Sequence, residues 1–246
     1  MTKHTTKKRL LSVLLTLCMA VALCAGLLVA APVKVKADNG TATWNSSTPP
    51  DISGWDGAGN TVTVSSGAKG TLTIPAAVTE ISINSDGNAV TDANIVVADR
   101  AAGQDLTINF DNLNMTAPAG TDALGYLVAT AVNITLNVAN TVRLTGGAGA
   151  SGIAGTAGGC GIFLNANTTV AGTGTLYATG GIGGNGTTGN GAIGGDGIFT
   201  QTGLTTVAGN LVVTGGNGGD SQSGNGGMGG FGRVSGGARL PGCWAD

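Results

Sequence analysis

From Asn60 onward the chain alternates apolar residues with Thr, Ser or Asn in short runs. "NTVTVSS", "GTLTIP", "TEISIN", "NIVVAD", "DLTINFD" and "VNITLNV" each keep a period of two, and each is bounded by Gly, Asn, Asp or Pro. That period puts alternate side chains on opposite faces, so each run predicts a half-buried strand. No stretch after residue 31 carries apolar residues at helical spacing. The expected class is all-β.

The second half repeats. TGG recurs at Thr145, Thr179 and Thr214, with spacings of 34 and 35 residues. The motif GG-x-G recurs at Gly158, Gly194 and Gly229, with spacings of 36 and 35. After its first two occurrences come "GIF", then "TTVAG", then "TLYATGG" or "NLVVTGG". Each unit therefore holds three strand-like words and one glycine-rich connection. Such a unit cannot bury its apolar face alone and must stack on its neighbours as one coil of a solenoid. Aligned on TGG, two aliphatic columns face inward, Val142–Leu176–Leu211 and Leu144–Ala178–Val213, and the column Arg143–Tyr177–Val212 faces outward. The expected fold is a single-stranded β-helix, or β-solenoid, with long glycine-rich connections between coils.

Between Gly146 and Gly237 there are 34 glycines and no proline. Missing proline and the lack of glycine at every third residue exclude collagen. A flexible linker would not restart the same words at a fixed spacing. Each connection is expected to leave the solenoid and fold back, glycine permitting positive φ and close backbone approach. Stacked connections are expected to pair through backbone hydrogen bonds as a polyglycine-like sheet. Within one of them Thr179 should end a strand and Ile198 begin the next.

The start of the chain changes the charge balance. Lys3, Lys7, Lys8 and Arg9 precede an apolar run from Leu10 to Ala31, and "VKA" ends at Ala37. This reads as a secretory signal peptide over residues 1–37, with the run forming a signal helix. An uncleaved anchor is the alternative, because the run is long enough to span a bilayer. Six of the eleven basic residues lie in this segment, leaving five against thirteen acidic ones, a net charge of −8. That excludes nucleic acid as a partner. No membrane span is expected in the mature chain. Residues 38–54 read as a linker or N-terminal cap, 55–232 as the β-helix with 35-residue repeats from about residue 141, and 233–246 as an atypical tail. In that tail "RVSGGARLPGCWAD" replaces the expected third "GIF" unit, and suggests truncation with further C-terminal domains missing.

The only histidine, His4, lies in the signal segment. Histidine triads and histidine-ligated zinc are thus excluded from the mature chain, and no catalytic group stands out. "GIGGNG" at Gly181–Gly186 matches the dinucleotide fingerprint by letter, but no helix follows to receive a pyrophosphate. "GGNGGDSQS" at Gly215–Ser223 resembles a calcium nonapeptide, which makes Asp220, with Asp196 one connection away, a candidate calcium ligand, with solvated turn residues as the alternative. Its polar column reads Ser151, Asn185, Asp220. Arg143 and Tyr177 are the candidate ligand-binding residues, with an arginine simply covering its neighbour as the alternative. Lys69, Arg100, Arg233 and Arg239 are the other bases. Cys160 and Cys243 could pair in an oxidising compartment, but nothing in their spacing requires it, and two unpaired thiols are the expectation. Alternation does not decide whether Ile162 and Ile198, or Phe163 and Phe199, face the core.

"WDGAGNTVTVSSGAKGTLTIPAAVTEISINSDG", "LTINFDNLNMTAPAG" and "NTVRLTGGAG…GIFLNANTTVAGTGTLYATGG" resemble the glycine-rich right-handed β-helix repeats of clostridial cell-surface, adhesin-like proteins over about residues 55–232. The resemblance implies a right-handed solenoid on a Gram-positive cell surface, acting as a polysaccharide-binding or adhesion module for host or cell-wall glycans. It implies no enzyme. A structural stalk of a larger surface protein is the alternative, and a calcium-dependent polysaccharide lyase a distant third.

Overall fold

The computed structural model describes residues 40–127, 131–200, 203–206 and 208–235. Among them every element is a strand. The chain opens with β1 (Thr41–Trp44), β2 (Asn60–Val64) and β3 (Gly70–Ile74). Five rounds of three strands follow. They are β4 (Glu80–Ser85), β5 (Ala89–Thr91) and β6 (Ala93–Val97); β7 (Leu106–Asp111), β8 (Asn114–Thr116) and β9 (Leu124–Tyr126); β10 (Asn133–Val138), β11 (Thr141–Thr145) and β12 (Ile162–Leu164); β13 (Asn167–Gly172), β14 (Thr175–Thr179) and β15 (Ile198–Thr200); β16 (Gly203–Thr206), β17 (Asn210–Thr214) and β18 (Arg233–Ser235).

Corresponding strands of successive rounds pair in parallel and build three sheets. The first runs β1-β2-β4-β7-β10-β13-β16, the second β5-β8-β11-β14-β17, the third β3-β6-β9-β12-β15-β18. This arrangement is compatible with a β-solenoid. The runs read from alternation are β2, β3, β4, β6, β7 and β10. The three-residue strands β5, β8 and β9 are too short to show a period and take their place from the neighbours they pair with. Thr41–Trp44, inside the segment read as linker or cap, pairs with β2, and Trp44 is fully buried with its indole N–H on the Lys69 carbonyl. At the other end Arg233–Ser235 pairs with β15 where the "GIF" word is missing.

The core is a set of columns, one residue per round. The first sheet contributes Val62–Ile83–Phe110–Val138, the second Val90–Met115–Leu144–Ala178, the third Leu72–Ile95–Leu124–Ile162–Ile198. All are buried, each apart from Ala178 contributing about 1.5–3 kcal/mol by its removal from water. The third sheet answers the Ile/Phe ambiguity. Ile162, Leu164 and Ile198 belong to the core. Phe163 and Phe199 are also buried but form a separate cluster with Cys160, their rings stacked at 4.9 Å and 8°. Cys160 is disulfide-bonded, which corrects the expectation of an unpaired thiol. Cys243 lies outside the described residues, as do Arg239 and the segment 1–37 read as a signal peptide.

One corner changes from round to round. Between β5 and β6 stands the single residue Asp92, at φ 59°, a left-handed conformation that Asp tolerates better than most residues. Between β8 and β9 lie residues 117–123, and in the last three rounds the glycine-rich connections 146–161, 180–197 and 215–232.

Candidate functional site

The glycine-rich connections are the most unusual surface of the molecule, and their bonding has a period of three. Gly146, Gly149 and Gly152 donate their N–H groups to Thr179, Ile182 and Asn185 of the next connection. Gly180, Gly183 and Gly186 donate in turn to Thr214, Asn217 and Asp220. The returning legs do the same. Gly155, Gly158 and Gly161 donate to Asn190, Ile193 and Asp196, and Gly191, Gly194 and Gly197 to Asn225, Met228 and Phe231. Three residues per turn is the period of an extended helix of the polyproline II kind, which has no internal hydrogen bonds and must find partners outside itself.

A second position of each triplet bonds the outgoing legs to the returning ones in a zigzag. Gly159 donates to Gly147, Gly181 to Gly159, Gly195 to Gly181, Gly216 to Gly195, and Gly230 to Gly216, at 2.7–2.8 Å. One triplet further out the same zigzag runs through Ala150, Thr156, Gly184, Ala192, Gly219 and Gly227. Two positions of each triplet therefore face neighbouring backbone and are mostly glycine, with Ala150, Thr156 and Ala192 as exceptions, and the third carries most of the side chains. A Cβ at Gly147, Gly181 or Gly195 would fall well inside 3.0 Å of a neighbouring carbonyl oxygen. These glycines are not at φ between +20° and +160°. Close approach is the reason for glycine here, which corrects the expected role of positive φ.

The third positions bond as well. Asn185 donates its N–H to Ser151 Oγ at 3.1 Å, while its carbonyl accepts from Gly152 at 3.0 Å. Asp220 donates to Asn185 Oδ1 at 2.8 Å and accepts from Gly186 at 2.8 Å. Asn225 is held by Asn190 Oδ1 at 3.0 Å and Gly191 at 2.9 Å. Phe231 is held by Asp196 Oδ1 and Gly197, both at 2.8 Å. Cys160 is held by Asp122 Oδ1 at 2.6 Å and the Ala123 N–H at 3.1 Å. Five times over, a polar side chain and the next backbone N–H clamp both backbone groups of one residue in the next round. The column Ser151–Asn185–Asp220 read from sequence is such a ladder.

This places the calcium candidates. Asp196 and Asp220 sit on different legs and in different columns. Asp196 is 9% exposed and its Oδ1 accepts the Phe231 N–H. Burial pushes its carboxyl above the usual carboxylate value, with that hydrogen bond opposing. Asp220 is exposed. No group of three or more His, Cys, Asp or Glu gathers among the described residues.

The ligand-binding candidates are brought together. Arg143 and Tyr177 are register partners on the outer face of the second sheet, with the guanidinium carbon 4.0 Å from the ring centroid. Val212 follows Tyr177 in the column. Beside them runs an unbroken threonine column, Thr91–Thr116–Thr145–Thr179–Thr214. The other described bases have structural partners. Lys69 pairs with Asp92 at 3.3 Å, and Arg233 donates to the Leu204 carbonyl at 2.8 Å. Buried Arg100 donates to the carbonyls of Pro75, Ala76 and Val78 at 2.7–3.1 Å, and desolvation lowers its pKa.

Sequence reasoning missed an open groove of about 410 Å³ in which Pro49, Pro50 and Asp51 face Thr71 and Thr73 of β3. Only the two prolines hinted at a fixed segment there. Among the described residues no helix is long and apolar enough to cross a membrane. No protein-family model, curated protein or solved structure matches the chain.

Proposed function

We propose that the chain is a secreted or cell-surface right-handed β-helix with a structural role, a rigid spacer within a surface assembly. The observation that carries this reading is the clamped glycine slab. Loops that bind ligands adapt their backbone and present varied side chains. Here two positions in three face other backbone, and in the first two connections their N–H groups are engaged by the opposite leg or by the next round. Such connections stiffen the stack from round to round, which serves a spacer better than a receptor.

Polysaccharide binding ranks second, and the Arg143–Tyr177 column with its flanking threonines favours it. Strands in a sheet lie about 4.8 Å apart. Arg143 therefore covers one face of the Tyr177 ring and Val212 is next along the other. A sugar would meet the ring's edge and the threonine hydroxyls rather than an open aromatic face, a weaker platform for stacking.

A duplicated repeat tests the choice. Inserting a second copy of the 35 residues Gly180–Thr214 should give a folded protein of at least equal melting temperature, because a spacer tolerates a changed number of coils. Neither form should be retained on a panel of insoluble polysaccharides, with or without calcium. Retention of the parent protein that Tyr177→Ala abolishes would replace the spacer reading with the binding one.

A further inference from the structure

Four asparagines in the connections are followed by glycine: Asn185-Gly186, Asn190-Gly191, Asn217-Gly218 and Asn225-Gly226. In this pair the backbone nitrogen of glycine, unhindered by a Cβ, can attack the asparagine Cγ. The new N–Cγ bond forms, the nitrogen's proton passes to water, the bond to the amide nitrogen breaks and ammonia leaves. Water then opens the succinimide ring at either carbonyl, giving aspartate or isoaspartate, with no change of oxidation state. The reaction needs a glycine nitrogen released from hydrogen bonding and a side chain able to swing over it.

The clamps divide the four. At Asn185 and Asn190 the side-chain oxygen accepts from Asp220 and Asn225, and the glycine N–H donates to the carbonyl of that same residue. Both reacting groups are tied down by the next coil. Asn217 and Asn225 are exposed, and among the described residues neither their side chains nor the N–H groups of Gly218 and Gly226 have a hydrogen-bond partner.

We infer that Asn217 and Asn225 are modification sites, deamidating to aspartate and isoaspartate, while the coil-to-coil clamp protects Asn185 and Asn190 from the same chemistry. The inference is independent of the spacer reading. Its product at Asn217 places a new carboxylate one triplet from Asp220, and isoaspartate adds a backbone atom to a leg whose bonding depends on a period of three.

The test incubates the full chain at mildly alkaline pH and follows each site by peptide mass spectrometry with detection of isoaspartyl residues. Asn217 and Asn225 should convert at least about tenfold faster than Asn185 and Asn190, since the latter must first break two hydrogen bonds. In guanidinium all four should convert at similar rates. Gly226→Ala is the matched variant, because its Cβ would meet nothing closer than 3.7 Å and the fold should tolerate it. It should slow Asn225 and leave Asn217 unchanged. Native rates within about twofold of one another at all four sites, lasting integrity of Asn217 and Asn225 while the denatured chain reacts, or an unslowed Asn225 in Gly226→Ala would each overturn the assignment.

Discussion

The three sheets and the glycine slab belong to the same rounds of chain but are held by opposite means. In the sheets, side chains decide. Columns such as Leu72–Ile95–Leu124–Ile162–Ile198 exclude water, and the backbone ladder follows from keeping them in register. In the slab, the absence of side chains decides. Gly147, Gly159, Gly181, Gly195, Gly216 and Gly230 let legs approach until backbone groups bond directly across the zigzag. The sheets tolerate exchange among aliphatic residues of similar volume. The slab has no volume to exchange. One region is specified by what it buries, the other by what it leaves out.

The largest expected effect tests whether the sheets carry the stability. Leu136→Ala removes a fully buried side chain between Ile108 and Val170 and should cost about 2–5 kcal/mol in urea denaturation. Gly195→Ala should come next. Its Cβ would collide with the Gly159 carbonyl, and the cost should be about 1–3 kcal/mol. Hydrogen exchange should show lost protection in the connections with protection of β10 and β13 retained. Loss of protection in both together would break the distinction and make slab and sheets one cooperative unit.

Asp196 sharpens the comparison within the slab. Asp196→Ala removes the acceptor for the Phe231 N–H and should cost about 1 kcal/mol. Asp196→Asn keeps an acceptor and loses only the charge, as Asn185 and Asn190 already do in their own clamps. The folded pKa of Asp196 is raised above its unfolded value. Stability from this group is therefore present at low pH and lost as pH rises through the folded value. Melting of the parent should fall relative to Asp196→Asn on going from about pH 3 to pH 7. A pH-independent difference would mean that the carboxylate is not desolvated. The smallest effect should be Arg143→Ala, about 0.5 kcal/mol in thermal melting, for an exposed arginine over one ring.

Much of this fold was legible in the chain. The period-two runs gave six strands, and the TGG alignment gave the columns Val142–Leu176–Leu211, Leu144–Ala178–Val213 and Arg143–Tyr177–Val212 in their observed register. Thr179 ends β14 and Ile198 begins β15, as expected. The polar column Ser151–Asn185–Asp220 was visible as a column, but its meaning was not. Oxygen-bearing side chains in register read equally well as cation ligands, and the side chain's target here is a backbone N–H some 35 residues away, for which no local pattern exists.

The sequence alone determined the period-two strands, the inward columns and the return of each round, because period two and aliphatic burial are local rules that repetition amplifies. Tertiary structure decided the rest. It placed Phe163 and Phe199 outside the core yet buried, and put Cys160 in a disulfide. Of the two expected reasons for glycine in the slab, it kept close approach and dropped positive φ. Glycine has no side chain to say what it faces, so only the neighbouring coil shows whether the missing Cβ leaves empty space or makes room for a carbonyl.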